Sequence, residues 1–235
     1  MNYTYRMKRR EDVKRRASTP DYHNQHCKVL DCSNPSRAGT TDGLSRKYCR
    51  SHYDHLQRHG SPFKPSYKAA DINPHRKAAL KWLKKNAEDR WVKHAVTAVH
   101  QLYQRAGPHV EAFRLRGMTP RERAWAAWAR LRKAEIDPIK VVASWLAIEL
   151  TIKHDPQPDW RNEFKRVQGA KLVHRLASGS HKKWMHEYGD GSGTWIEKLD
   201  KYPQSRGRVL RHIGEDLDKA FELLVDHHLD HICPF

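Results

Sequence analysis

The stretch His26–Lys64, "HCKVLDCSNPSRAGTTDGLSRKYCRSHYDHLQRHGSPFK", carries three of the chain's four cysteines. Together with its flanks, residues 21–66, it is rich in Cys, His, Ser, Gly and Asn and poor in large aliphatic side chains. Such a segment cannot exclude water with a core of its own, so it folds around a metal or against a neighbour. Cys27 and Cys32 form a C-x4-C pair and Cys49 and His52 a C-x2-H pair, with sixteen residues between the pairs. Zinc takes four ligands in a tetrahedron, commonly as two local pairs that folding brings together. A short turn aims the Cys27 and Cys32 sulfurs at one point. If Cys49 starts a helix, His52 stands one turn on and on the same face. Cys27, Cys32, Cys49 and His52 are therefore the expected ligands of one structural Zn2+ ion, since four protein ligands leave no open position for a reactive water. His23, His26, His55 and His59 are rival ligands, and one member of the set stays open between them.

The second pair continues as "YCRSHYDHLQRHGSPF". With the C-x4-C pair it resembles a small zinc-binding module common in phage and bacterial mobile-element proteins, similar to the zinc cores of WRKY and GCM DNA-binding domains. The positions that carry the resemblance are Cys27, Cys32, Cys49, His52, Tyr53, Arg58, His59, Gly60 and Pro62. The segment between the pairs is longer than in that module, and Ser61 stands where an acidic residue is usual. The resemblance implies DNA binding through a zinc-ordered head, and it covers nothing beyond residue 70. The residues themselves add a basic surface of Arg37, Arg46, Lys47, Arg50, Arg58, Lys64 and Lys68. Phosphate contact is the modest expectation for these side chains and base reading the sharper one.

The whole chain supports a polyanionic partner. It has 235 residues with 45 Lys and Arg against 27 Asp and Glu, a formal net charge of +18. The excess lies before residue 179, and the remainder carries more acid than base. A field of that sign concentrates nucleic acid at the surface. DNA is the expected partner and RNA the alternative. A protein partner, or self-association through the acidic C-terminal helix, is a third reading. The N-terminus, "MNYTYRMKRREDVKRR", has no apolar leader, and no run is long enough to span a membrane. These features point to a cytoplasmic protein with reduced thiols free to bind metal.

Organisation along the chain is tripartite: a basic, flexible or marginally helical arm over residues 1–20, the zinc module over 21–70 and a helical domain over 71–235. From Asn73 onward the punctuation is helical. Asn73 and Pro74 read as N-cap and first helical residue, and Leu80, Leu83, Ala87, Trp91, Ala95, Val99 and Leu102 form one stripe of a long helix ending at Gly107-Pro108. Thr119, Pro120 and Glu122 open another with a capping box, Asp137 and Pro138 a third, and Asp159 a fourth. The third contains "VVASWLAIEL", read as amphipathic. After a Gly-rich break, "YGDGSGTW", a last helix runs from about Ser205 to Ile232. No strand pattern stands out after residue 70, so the fold class is mainly α, a small zinc-stabilised module followed by an all-helical bundle. Trp125, Trp128 and Trp145 sit at core spacing rather than as stacking platforms for bases.

The chain end, "VDHHLDHICPF", matches the opening of an HNH nuclease motif at Asp230, His231, Ile232 and Pro234, but the following Asn and second His are missing. His227, His231 and Cys233 are a candidate second metal site. "GDGSG" lacks the Lys-Ser or Lys-Thr of a phosphate loop. No catalytic set is assembled from these pieces, and the expectation is a non-enzymatic protein.

Overall fold

The computed structural model describes residues 3–177, 180–201 and 207–232. It divides into two compact units, residues 1–65 and 66–235.

The first unit begins with α1 (Tyr3–Ser18), a helix with no buried residue. Its charges pair along its own surface, Asp12 with Arg15 and Arg16 at 2.9 and 2.8 Å. The basic arm thus forms a helix without an apolar face. Beyond it, short backbone links replace regular sheet. Cys27 N–H donates to Asn34 O and Ser36 N–H to Gln25 O, both at 3.0 Å. Lys28, Arg37 and Ala38 N–H groups reach Lys47, Tyr48 and Ser45 carbonyls at 2.7, 3.0 and 2.9 Å. Helix α2 (Arg50–His59) follows and stops at Gly60, whose φ of 78° places it in the left-handed region while its N–H caps Leu56 O. Among the described residues of this unit the buried ones are Cys27, Ser36, Ala38, Cys49, Gly60, Ser61 and Pro62. No large apolar side chain is among them.

The second unit is a bundle of α3 (Ala69–Lys85), α4 (Arg90–Arg105), α5 (Pro120–Lys133), α6 (Pro138–Lys153), α7 (Asn162–His174) and α8 (Gly207–His228). Helix α6 packs against α3, α4, α7 and α8, and α8 also covers α4, α5 and α7. The "VVASWLAIEL" segment is therefore not amphipathic: Val141 to Ile148, Leu150, Thr151 and Ile152 are all buried, because neighbours enclose α6 on every side. Trp128 and Trp145 are core residues, as their spacing predicted, while Trp125 packs at the edge of the core under the Arg121 guanidinium. Glycine sets two close approaches. A Cβ on Gly169 would lie 2.5 Å from the Trp145 ring, and one on Gly214 2.5 Å from Arg166 O. Polar ties pin the layers: Trp128 Nε1 and Arg121 Nη1 donate to Asp216 at 3.0 and 2.8 Å, joining α5 to α8.

Several sequence expectations are corrected. The long helix is two, because Asp89 Oδ1 caps the Trp91 and Val92 N–H groups at 2.8 and 3.1 Å and starts α4 afresh after a turn at Asn86. Helix α3 starts upstream of Asn73-Pro74, at Ala69, since Asp71 accepts the Lys68 N–H at 3.0 Å and Ile72 is buried; Pro74 lies inside the helix. Helix α7 starts at Asn162, three residues after Asp159. The caps read at Thr119–Glu122 and Asp137 are present. The clearest miss is a hairpin, β1 (Ser180–Glu187) and β2 (Thr194–Lys201), paired antiparallel from Ser180↔Lys201 to Glu187↔Thr194. The "GDGSG" break is its turn, with Gly191 at φ 69° and Tyr188 N–H on Gly193 O at 2.9 Å. The alternation was hidden because the described side chains of the hairpin are exposed or half-exposed on both faces, so no buried side biases its sequence.

Among the described residues, no helix is long and apolar enough to cross a membrane.

Candidate metal centre

The Cys27–Cys32 loop closes as a tight turn, with Cys32 N–H donating to Val29 O at 3.2 Å. Asp31, just before Cys32, takes φ 60°, a conformation Asp tolerates better than bulkier residues. Cys49 is the N-cap of α2 and His52 its third residue, so the helix start puts both on one side, as the C-x2-H spacing predicted. The backbone bonds from Lys28 to Lys47 and from Arg37 to Tyr48 bring the two pairs together.

The result is a cluster in which ligand atoms of Cys27, Cys32, Cys49 and His52 all lie within 4.8 Å of one another. His52 Nδ1 is 3.3 Å from Cys27 Sγ and 3.4 Å from Cys49 Sγ. Tetrahedral coordination at normal metal–sulfur and metal–nitrogen lengths sets ligand–ligand edges of about 3.5–3.8 Å. The four residues lie close enough to hold one metal ion. Burial disfavours the Cys27 thiolate, but N–H groups of Cys49 and Val29, then His52 and Cys32, outweigh it and lower the thiol to about 7. Cys49 shifts the other way, raised by burial, so of these two thiols Cys27 is the more acidic. A preformed thiolate favours metal capture near neutral pH.

The rival histidines are not members of this group. His55 stacks on His59 with ring centroids 4.3 Å apart, and its Nδ1 meets Ser61 O at 2.8 Å. Ser61 is buried, its Oγ accepting the Phe63 and Lys64 N–H groups at 3.3 and 2.9 Å. The "HGSPF" segment is thereby a built loop, closed on the buried Ser61. His26 lies on an isolated bridge to Pro35 and His23 in a single 3-10 turn.

The seven basic candidates divide by what they touch. Arg37 is half-buried: its guanidinium donates to Asp42 O, from Nε at 3.0 Å, and lies 4.6 Å over the Tyr53 ring. Arg50 reaches the Asp42 carboxylate at 3.2 Å and Arg46 the Asp21 carboxylate at 3.7 Å, both side chains remaining largely exposed. Lys47 and Arg58 are exposed, and Lys64 is half-buried. Lys68 is exposed at the start of α3, in the second unit. Sequence reading missed Asp42, whose backbone carbonyl receives Arg37 and whose carboxylate receives Arg50; an Asp before Gly43 in a Ser/Thr-rich turn was its only signal.

In the second unit, Glu149, Lys165, Asp218 and Arg166 form a chain of ion pairs at 3.0, 3.2 and 2.7 Å beside a cavity of about 360 Å³. Burial raises the Glu149 carboxyl, and both carboxylates raise the Lys165 ammonium against its own burial. Every member has an opposite charge within reach, the pattern of a structural network joining α6, α7 and α8. At the chain end, His227 stacks on Trp91 at 4.6 Å and His228 Nε2 lies 3.2 Å from Asp89, while Asp230 pairs with Lys153. Cys233 and Pro234 fall outside the described residues. Among the described residues, the Cys27–Cys32–Cys49–His52 cluster is the only group of three or more side chains placed to hold a metal.

Compared with known proteins, the chain matches no family model, no curated protein and no solved structure.

Proposed function

We propose that this is a non-catalytic DNA-binding protein whose first unit is ordered by one structural zinc ion and presents a basic face to the duplex. Three thiol groups and one imidazole form a donor set that suits zinc, and four protein ligands leave no position for a substrate. One observation carries the reading. Arg46, Lys47 and Arg50 flank the ligand Cys49, are exposed, and belong to a segment whose backbone is bonded to the cysteine turn. Ligation would therefore fix where three cations stand, which is what phosphate contact requires. Arg37 has a different part, bracing the 37–43 loop against Tyr53. The net charge of +18 supplies the long-range attraction. The resemblance to phage and mobile-element zinc modules agrees with this reading and points to that origin.

The test is an anisotropy titration of the full chain on duplex DNA across a salt series, with and without a chelator. The affinity is expected to fall steeply with salt, and chelation to weaken it at least tenfold. Replacing Arg46, Lys47 and Arg50 together by alanine is expected to reduce the slope of log K on log salt by about 3. Binding indifferent to both salt and chelation overturns the mechanism. Preferential binding of structured RNA in direct competition moves the protein to the alternative class.

A further inference from the structure

Among the described residues the β1–β2 hairpin is a two-stranded sheet with no third strand, and its strands pack principally on each other. A lone hairpin is at best marginal in water. This one nevertheless exposes Trp184, Met185, Tyr188, Trp195 and Ile196 within thirteen residues, Met185 at 73% and its cross-strand partner Ile196 at 57%. Scattered exposed apolar residues are ordinary, but exposed apolar side chains on both faces of an unpaired ribbon, Met185 and Ile196 on one and Trp184, Tyr188 and Trp195 on the other, mark an interaction surface.

We infer that the outer edge of β1 pairs antiparallel with β1 of a second copy, closing a four-stranded sheet across a two-fold axis at Met185. The occupant follows from register and charge. Tyr188 bonds to Gly193 within the hairpin, and bonding direction alternates along a strand. Lys183, Met185 and Glu187 therefore turn their backbone N–H and C=O groups outward, free to exchange bonds with another strand. With Met185 on the axis, Lys183 falls opposite the partner's Glu187 on both sides of it. Opposite charges facing each other across strands stabilise pairing, and like charges oppose it. The same register aligns Ile196 and Met185 with the partner's Met185 and Ile196 in one apolar row. On the other face, Trp184 falls opposite the partner's His186, a ring that already stacks on Trp195 at 4.3 Å in its own hairpin. The inference is independent of the DNA-binding reading, and its test contains no nucleic acid.

The experiment is sedimentation equilibrium of the full chain, zinc-loaded, across micromolar concentrations. The wild-type chain is expected to form a concentration-dependent dimer. Lys183→Glu and Glu187→Lys should each raise the dissociation constant about tenfold or more, because each places like charges opposite each other twice per dimer. Mixing the two variants should restore dimerisation, since every facing pair is then opposite in charge. That recovery cannot come from a folding defect, and unchanged circular dichroism of each variant confirms it. A wild-type monomer throughout the tested range, a dimer that neither charge variant weakens, or a mixture that fails to recover overturns the proposal.

Discussion

The two units solve the same problem by opposite means. Residues 66–235 bury Trp128, Trp145, Phe164 and Phe221 completely, along with aliphatic residues from all six of the unit's helices. Residues 1–65 bury two cysteines, two serines, an alanine, a glycine and a proline. In the first case water is driven off apolar area, worth roughly 25 cal/mol per Å². In the second there is little such area, and on the zinc reading proposed above the stabilisation comes from converging ligands. Burial tolerates local loss, whereas a centre of four ligands is lost as a whole.

That contrast predicts which perturbation each unit feels. The largest effect is metal removal. Structural zinc in small domains contributes about 10–16 kcal/mol of apparent binding energy near neutral pH. Chelation is therefore expected to abolish amide protection at Cys27, Lys28, Arg37 and Ala38 while the helical unit melts unchanged. Hydrogen exchange with and without chelator measures both together, and protection retained in the first unit would break the contrast. Next is Trp128→Ala, which empties a fully buried site and removes the indole donor from Asp216, expected to destabilise the helical unit by about 3–5 kcal/mol. Denaturant unfolding followed by the remaining tryptophans reads this loss, and the metal centre should survive it.

The smallest effect concerns acid. His174 is buried, and burial first, then the nearby Arg130 and Arg175, depress its imidazole to about 3. A folded value below the unfolded one means that stability is complete above about pH 6.5 and lost progressively as pH falls toward 3. Between pH 6.5 and 5 the loss is about 2 kcal/mol. His174→Gln should flatten that part of the stability profile, and an unchanged profile would exclude His174 as its source.

The metal cluster was legible because its geometry is local: a tight turn and a helix start convert C-x4-C and C-x2-H into converging atoms. Asp89 shows why the helical unit was less so. Its capping role competes with a continuous apolar stripe from Leu80 to Leu102, and the stripe survives the break because α3 and α4 both face the core. Helix α6 misled for the opposite reason, since enclosure by four neighbours is a tertiary fact with no periodic signature. The hairpin was hidden because the residues that usually announce a strand, alternating inward and outward, have no inside here. The C-x2-H spacing already chose His52; what no spacing rule contains is where the rival His55 goes, into a stack with His59 and a bond to Ser61.

Helix α6 has one more consequence, for how the bundle comes into being on the ribosome. Its apolar surface is complete all round, and most of its cover comes from α3, which precedes it in the chain, and α7, which follows it directly; α8 adds the smallest share. A nascent α6 therefore emerges onto α3 and α4 already made, and its open side closes once α7 has been synthesised. The bundle can mature largely in chain order, with α8 docking last against α7, α4 and α5.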